Sequence, residues 1–493
     1  MKKAFDNKKY VKLQGDKILE RVAQFGDKLY IEFGGKIFDD YHASRVLPGF
    51  EIDSKVKALA SIKNKVEVII NISADDIQNG KTRNDIGLTY EDDVLRLIDE
   101  FENHKISCHN VVITKYANQP LATIFYQKLK NLNINVYLHY PIEGYPHDTD
   151  FILSDKGFGK NEYVETTHPI IVVTGPGPGS GKMATCLSQL YFDNLKGIRA
   201  GYAKYETFPV WNLPLKHPVN LAYEAATSDL NDVNMIDYYH LENHGVSAVN
   251  YNRDLDVFPV LNKMFERIYG KSPYLSPTDM GVNMAGFAII NDDVAINASK
   301  QEIIRRYLDA CCLNKAGKFT QDSVDKISRI MRELNISVDD RKVVKAALDK
   351  TEKSNSPSVA IEIKKGTIIY GKKSELFTPS AAAVINALKY FAKIPNEMLL
   401  LSYSVLEPIQ DLKSKHLLRN TKRLHLNDVL IALAISATTS SMAACALEQL
   451  PKLAKTQLHS SVMIQNDDLE VLKKLKIDVT MGTFQDTKLL KNI

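Results

Sequence analysis

The residues best suited to chemistry are Gly175-Pro-Gly-Pro-Gly-Ser-Gly-Lys182. They follow an apolar run of strand length, Ile170 to Thr174. They precede a segment in which Met183, Leu187 and Leu190 recur at i, i+4 and i+7, the spacing of one buried helical stripe. A loop between a strand and a helix leaves the first helical N–H groups unpaired at the positive end of the dipole, which favours an anion. Glycines let the main chain approach a phosphate, and a lysine at the loop's end adds a point charge. Gly175, Gly177, Gly179, Ser180, Gly181 and Lys182 are therefore candidate phosphate ligands, with Lys182 also the candidate catalytic cation. The run departs twice from the nucleotide-binding pattern GxxxxGK[ST]. Pro176 stands where the first glycine belongs, and Met183 replaces the hydroxyl residue that would hold Mg²⁺. A methionine offers Mg²⁺ no oxygen, so Thr185 or a remote carboxylate would have to substitute.

A second group of candidates lies where strands end. Leu29 to Phe50 carries Gly34-Gly35-Lys36, Asp39-Asp40, His42 and Arg45 after an expected strand, and open α/β sheets place ligands at such ends. Asp39 and Asp40 are the candidate metal ligands. Lys81-Thr-Arg83-Asn-Asp85 follows another strand and reads as an exposed charged turn. The stretch Phe208 to Asn252 is dense in polar and aromatic residues and has the look of a lid or substrate loop. It supplies His217, Asp229 and Asp232 as further catalytic candidates.

Other chemistries fit less well. His240-Leu-Glu-Asn-His244 sets two imidazoles one helical turn apart, but the zinc-peptidase pattern needs glutamate directly after the first histidine, where Leu241 stands. There is no Gly-x-Ser-x-Gly elbow, and Cys108-His109 reads as an edge or buried pair preceding a strand. The five cysteines, with no CxxC pair, fit reduced thiols in a cytoplasmic protein; no zinc is expected.

The elements that must position these residues read as α/β. Strand-length runs at Leu29 to Phe33, Val66 to Ile72, Val111 to Thr114 and Val136 to Tyr140 alternate with helical patterns near 54–63, 91–104 and 119–131, the signature of a parallel sheet covered on both faces. A further strand is expected at 201–207 and a helix at 255–268. At 493 residues the chain is long enough for about two to four domains. We divide it into an N-terminal α/β region with the P-loop-like strand–loop–helix (1–290), a helical connector (291–356) and a C-terminal α/β domain (357–493). The last begins with a hairpin, Val359 to Ile363 and Thr367 to Tyr370, across Lys364-Lys365-Gly366, and a later strand is expected at 461–464. Val429 to Leu447 lacks charge, but Ser440-Ser441 marks a break between two buried helices, and no membrane partner is expected. The 63 basic and 59 acidic side chains are spread without a basic arm, so no nucleic-acid partner is expected either.

Several long motifs carry a resemblance. They are Gly175 to Asp193 (GPGPGSGKMATCLSQLYFD), Glu32 to Lys36 (EFGGK), His42 to Phe50 (HASRVLPGF), Lys204 to Asn231 (KYETFPVWNLPLKHPVNLAYEAATSDLN) and Ser276 to Asn283 (SPTDMGVN). Together they closely resemble a bacterial family known as domain of unknown function 1846, or uncharacterised protein family UPF0371, over essentially the whole chain. The resemblance brings no established activity. It implies an N-terminal α/β region, a helical segment and a C-terminal domain of cytidine-deaminase-like topology. The His-x-Glu and PCxxC zinc signature of active deaminases is missing from that domain. The peptidase label of some relatives has no footing in the failed zincin pattern.

These observations lead to an enzyme that binds ATP or another nucleotide with Mg²⁺, or a different phosphorylated small molecule, for phosphoryl transfer or ligation. The alternative is a non-catalytic sensor or assembly protein whose C-terminal unit forms a homo-oligomer.

Overall fold

The computed structural model describes residues 2–26, 28–62, 65–83, 86–364, 366–417 and 422–483. The chain divides into two units: residues 1–227 with 231–299, and residues 300–493 with 228–230.

In the first unit the Val- and Ile-rich runs pair into one sheet. Its strands are β1 (Lys28–Phe33), β2 (Val66–Ser73), β3 (Ser107–Thr114), β4 (Asn135–Leu138), β5 (Ile170–Thr174), β6 (Ala200–Tyr205) and the short β7 (Gly281–Val282). They lie in the order β7-β6-β1-β5-β2-β3-β4, and every pairing is parallel. Every residue of β2 and β5 is buried, as a parallel strand covered on both faces requires. The cover comes from amphipathic helices, among them α1 (Asn7–Phe25), α2 (Ser54–Ser61), α3 (Tyr90–Asn103), α4 (Pro120–Asn131) and α5 (Lys182–Leu195). Helix α1 was not anticipated because its polar face dominates the sequence; it is capped by Asp6, which accepts from Lys9 N, and buries Tyr10, Gln14 and Ile18.

Strand order sets where a ligand can enter. From β5 the chain runs through α5 to β6 on one side of the sheet, whereas from the adjacent β2 it runs through α3 to β3 on the other. The two connections part above the carboxyl ends of β5 and β2, the kind of switch point at which open α/β sheets form a crevice.

The stretch Phe208 to Asn252 is not a structureless lid. It contains α6 (Pro218–Ala226), α7 (Tyr238–His244) and an antiparallel ladder of Asn234–Ile236 with Val249–Tyr251, and it leads into α8 (Asn252–Tyr269). Two of its polar residues are helix caps. His217 Nδ1 accepts from Val219 N to start α6, and Asp237 accepts from His240 N to start α7. Caps and binding groups draw on the same residue types, so composition did not separate them.

In the second unit β8 (Ser358–Lys364) pairs antiparallel with β9 (Thr367–Lys372), the expected hairpin, of which Lys365 lies outside the described residues. The sheet order is β9-β8-β10-β11, with β10 (Gln457–Ser460) antiparallel to β8 and parallel to β11 (Asp478–Met481). The strand expected at 461–464 is thus at 457–460: Leu458 pairs with Ile361, while Ile464 packs against the core from the connection that follows. Val429 to Leu447 belongs to two helices, Leu426–Ala437 and Ser441–Leu447, separated at Ser440, whose hydroxyl caps the second. Among the described residues no helix is long and apolar enough to cross a membrane.

Candidate functional site

The glycine loop leaves β5 at Thr174 and is pressed against its neighbours. A Cβ at Gly177 would overlap the Tyr90 hydroxyl oxygen. One at Gly181, where φ is +82°, would lie 2.9 Å from Thr114 Cγ2. Thr114 Oγ1 donates to Ser180 O at 2.9 Å, fixing the loop to the end of β3. These contacts explain why glycine is needed at both positions: any side chain would meet Tyr90 or Thr114. Gly175 is half-buried at the loop's start, Gly179 is exposed at its tip and Ser180 is buried.

The loop ends in an open helix terminus. Gly181 is the N-cap of α5, without a capping side chain, and the first turn carries no acidic residue. Among the described residues no acceptor engages the backbone N–H groups of residues 179–184. Donors and dipole are therefore uncompensated at this point. Lys182, the first residue of α5, turns its Nζ back to Gly177 O at 3.1 Å and Ser180 Oγ at 3.3 Å. Burial pushes its pKa down, the Glu32 carboxylate counters this, and Arg253 and Lys204 add to the lowering.

Beside the loop, the ends of β1 and β6 bring a charged cluster together. Glu32 is in register with Lys204 on β6 and with Val173 on β5, so the Glu32 and Lys204 side chains share one face of the sheet. Glu32 accepts from the Tyr202 hydroxyl at 2.5 Å. Lys204 Nζ lies 2.5 Å from Asp254 Oδ2 and 3.1 Å from Glu206 Oε1. Burial alone would lower the Lys204 pKa, but Asp254 and Glu206 outweigh it and hold the ammonium well above its ordinary value. Burial raises Glu206 to about 7, with Lys204 opposing and Asp254 reinforcing the shift. A carboxyl that titrates near neutrality beside a fixed ammonium can take or give a proton.

The other residues singled out from sequence are placed as follows. Thr185 is fully buried one turn into α5, where its hydroxyl accepts from Asn71 Nδ2 at 2.7 Å and lies 3.3 Å from His139 Nδ1. Asp40 caps the short helix Tyr41–Val46 and is paired with Lys55 at 2.8 Å; Asp39 is paired with Arg96 at 3.2 Å. His217 Nε2 contacts Asp292 at 3.1 Å, and Asp229 is exposed. Asp232 is buried and paired at 3.4 Å with Arg253, the residue whose charge also acts on Lys182. Arg83 is buried against Asp93 at 3.0 Å, not exposed, while Asn84 and Asp85 lie outside the described residues. The charges of Glu32, Arg253 and Lys204 thus act on Lys182 at the end of the loop. Glu206 and Asp254 escaped the sequence analysis. The strand-end rule that pointed to residues 34–40 applies equally to Glu206 after β6, but nothing local marks Asp254, which reaches Lys204 from α8.

Comparison with known proteins covers both units. The family described as domain of unknown function DUF1846, N-terminal, matches residues 3–335, and its C-terminal counterpart matches residues 339–490. A UPF0371 protein of Streptococcus pyogenes serotype M5 (strain Manfredo) is 53% identical over 489 residues, 99% of each chain. A UPF0371 protein of Streptococcus pneumoniae (strain Hungary19A-6) is 54% identical over 483 residues, 98% of each chain.

Proposed function

Because this chain belongs to the DUF1846 family, whose description carries no activity, we propose from the site alone that it is an enzyme acting on a phosphorylated small molecule, a nucleotide such as ATP being the leading candidate. The observation that carries this reading is the uncompensated helix terminus: the N–H groups of residues 179–184, with no partner among the described residues, and Lys182 beside them. A phosphate in the loop would accept from these donors, and Lys182 would turn from Gly177 O to a phosphate oxygen.

The charged cluster supports a transfer or ligation step. An acceptor hydroxyl or amine would give its proton to Glu206 as its oxygen or nitrogen bonds to phosphorus. The bond from phosphorus to the leaving oxygen would break, with the charge on that oxygen held by the loop and Lys182. Met183 has no oxygen, and Thr185 is buried and already hydrogen-bonded. Mg²⁺ would therefore be held by strand-end carboxylates such as Glu32, with Asp39 and Asp40 kept in their ion pairs. For the second unit we infer a deaminase-like topology, supported by the order β9-β8-β10-β11 in which β8 alone runs against its neighbours. Its role in this reading is assembly.

The test is a thermal-unfolding screen of wild type and Lys182→Ala against ATP, sugar phosphates and inorganic phosphate, with and without Mg²⁺. A ligand at one hundred times its Kd stabilises the native state by about 2.7 kcal/mol. Wild type is expected to respond and the variant to lose the response. Failure of every phosphorylated compound at millimolar concentration overturns the reading. Stabilisation without turnover would favour a sensor over an enzyme.

A further inference from the structure

We propose that His240, His244 and Asp279 form a binding site for a divalent transition-metal ion of the zinc class, separate from the glycine loop. The sequence-based expectation of no zinc rested on the missing glutamate after His240 and the missing CxxC pairs. A metal needs ligand geometry and not that motif, and the third ligand comes from a segment 35 residues beyond His244.

The geometry is preset by buried hydrogen bonds. His240 and His244 lie one turn apart on a single face of α7. The fully buried Asp237 accepts from His240 N at 3.0 Å through one oxygen. Through the other it accepts from Thr278 N at 3.0 Å and Thr278 Oγ1 at 2.6 Å, so one carboxylate ties α7 to the short helix Pro277–Met280. Ser276, also fully buried, accepts from Asp279 N at 3.1 Å and holds that segment in place; its hydroxyl, 2.9 Å from His240 Nδ1, would yield that contact when the nitrogen binds a metal. Leu275 N donates to Asp279 Oδ2 at 3.0 Å and orients the carboxylate.

The result is a three-ligand cup. His244 Nε2 is 3.0 Å and His240 Nδ1 is 3.5 Å from Asp279 Oδ1, and all three ligand atoms lie within 4.8 Å of one another. Around a tetrahedral ion with bonds of about 2.0–2.1 Å the ligands stand ~3.3 Å apart, close to the two histidine–carboxylate separations. The side chains of His240, Asp279 and His244 are 12%, 21% and 36% exposed, so the cup is backed by protein and faces water. Two imidazoles and one carboxylate leave a coordination position open, as in sites where a metal binds water or substrate, unlike the closed four-ligand structural sites. The plain rival is a metal-free histidine–carboxylate pair.

Trp211, the only tryptophan, provides a local reporter, its ring 6.3 Å from that of His240. Full-length protein freed of metal is titrated with Co²⁺ while tryptophan emission and visible absorption are followed, and Zn²⁺ is then added in competition. One equivalent of Co²⁺ at micromolar concentration should quench the emission and give a tetrahedral absorption band, and Zn²⁺ should reverse both. His240→Ala and His244→Ala should each weaken binding by more than ~10-fold. Their circular dichroism and melting serve as the control, and His244→Gln, at the most exposed ligand, stands in should either alanine variant fail to fold. Unchanged wild-type emission at millimolar Co²⁺, or folded variants that bind as wild type does, would overturn the site.

Discussion

Two clusters of buried polar groups, one in each unit, use their hydrogen bonds in opposite ways. In the second unit Asp468 is buried and spends its carboxylate within the fold. It accepts from Thr378 Oγ1 and Leu426 N, both at 2.7 Å, and lies 3.3 Å from His425 Nδ1. Thr378 and His425 are the N-caps of two helices, Pro379–Ala392 and Leu426–Ala437, so one carboxylate ties two helix starts to the helix Asn466–Lys474. In the first unit the end of β5 leaves N–H donors uncompensated beside Lys182, and the ends of β1 and β6 crowd Glu32, Lys204, Glu206 and Asp254 together. A closed network holds the fold together, whereas one with donors to spare has something left for a ligand.

The contrast can be broken most forcefully at Asp468. Asp468→Ala leaves Thr378 Oγ1 and Leu426 N without their acceptor and should cost about 3 kcal/mol, read from the urea midpoint, because buried donors stay unpaired. It should leave any phosphate-linked shift intact. A variant as stable as wild type would show that the cluster does not anchor its unit.

Next in size is Gly181→Ala, which forces a side chain into a left-handed backbone (φ +82°) against Thr114. A loss of about 2 kcal/mol is expected, together with a weakened response to phosphate compounds in the same melting experiment. An unaltered response would mean that the loop's backbone does not hold the ligand.

The pH dependence sharpens the electrostatic side. The folded state keeps a proton on Glu206 up to about pH 7, whereas the carboxyl's ordinary value is 4.5. Between those values the folded state binds more protons than the unfolded one, so this group lowers stability as pH rises through the interval. Glu206→Gln should remove that decline, seen as a flatter melting temperature from pH 4.5 to 7. Identical profiles for the two proteins would place Glu206 among ordinary carboxylates.

A second pH effect has the opposite sign. Burial lowers His139 from 6.5 to about 4, while its Nε2 lies 3.1 Å from Glu162 O. Between those values the unfolded state binds more protons, so this stabilisation is lost as pH falls from 6.5 to 4. His139→Gln should flatten the acid limb of the same melting curves. A variant that keeps the full acid limb would assign it to other groups.

What the sequence determined by itself was local. The strand–glycine loop–helix at 170–195 was legible because turn chemistry, a continuous apolar run and helical spacing all act over a few residues. The same holds for the parallel α/β class and for the hairpin that opens β8 and β9. Family membership was likewise legible in long runs of residue identity. Only the tertiary structure decided the rest. Periodicity shows that β5 is a strand but not that it inserts between β1 and β2, because strand order depends on packing between segments far apart in the chain. Asp39 and Asp40, candidate metal ligands by their place after β1, stand in ion pairs with Arg96 and Lys55 that no local pattern announces. Asp254, 50 residues from Lys204, and Asp279, 35 from His244, join their clusters only through folding, since a charge pair or ligand set is fixed by distance in space and leaves no mark on spacing along the chain.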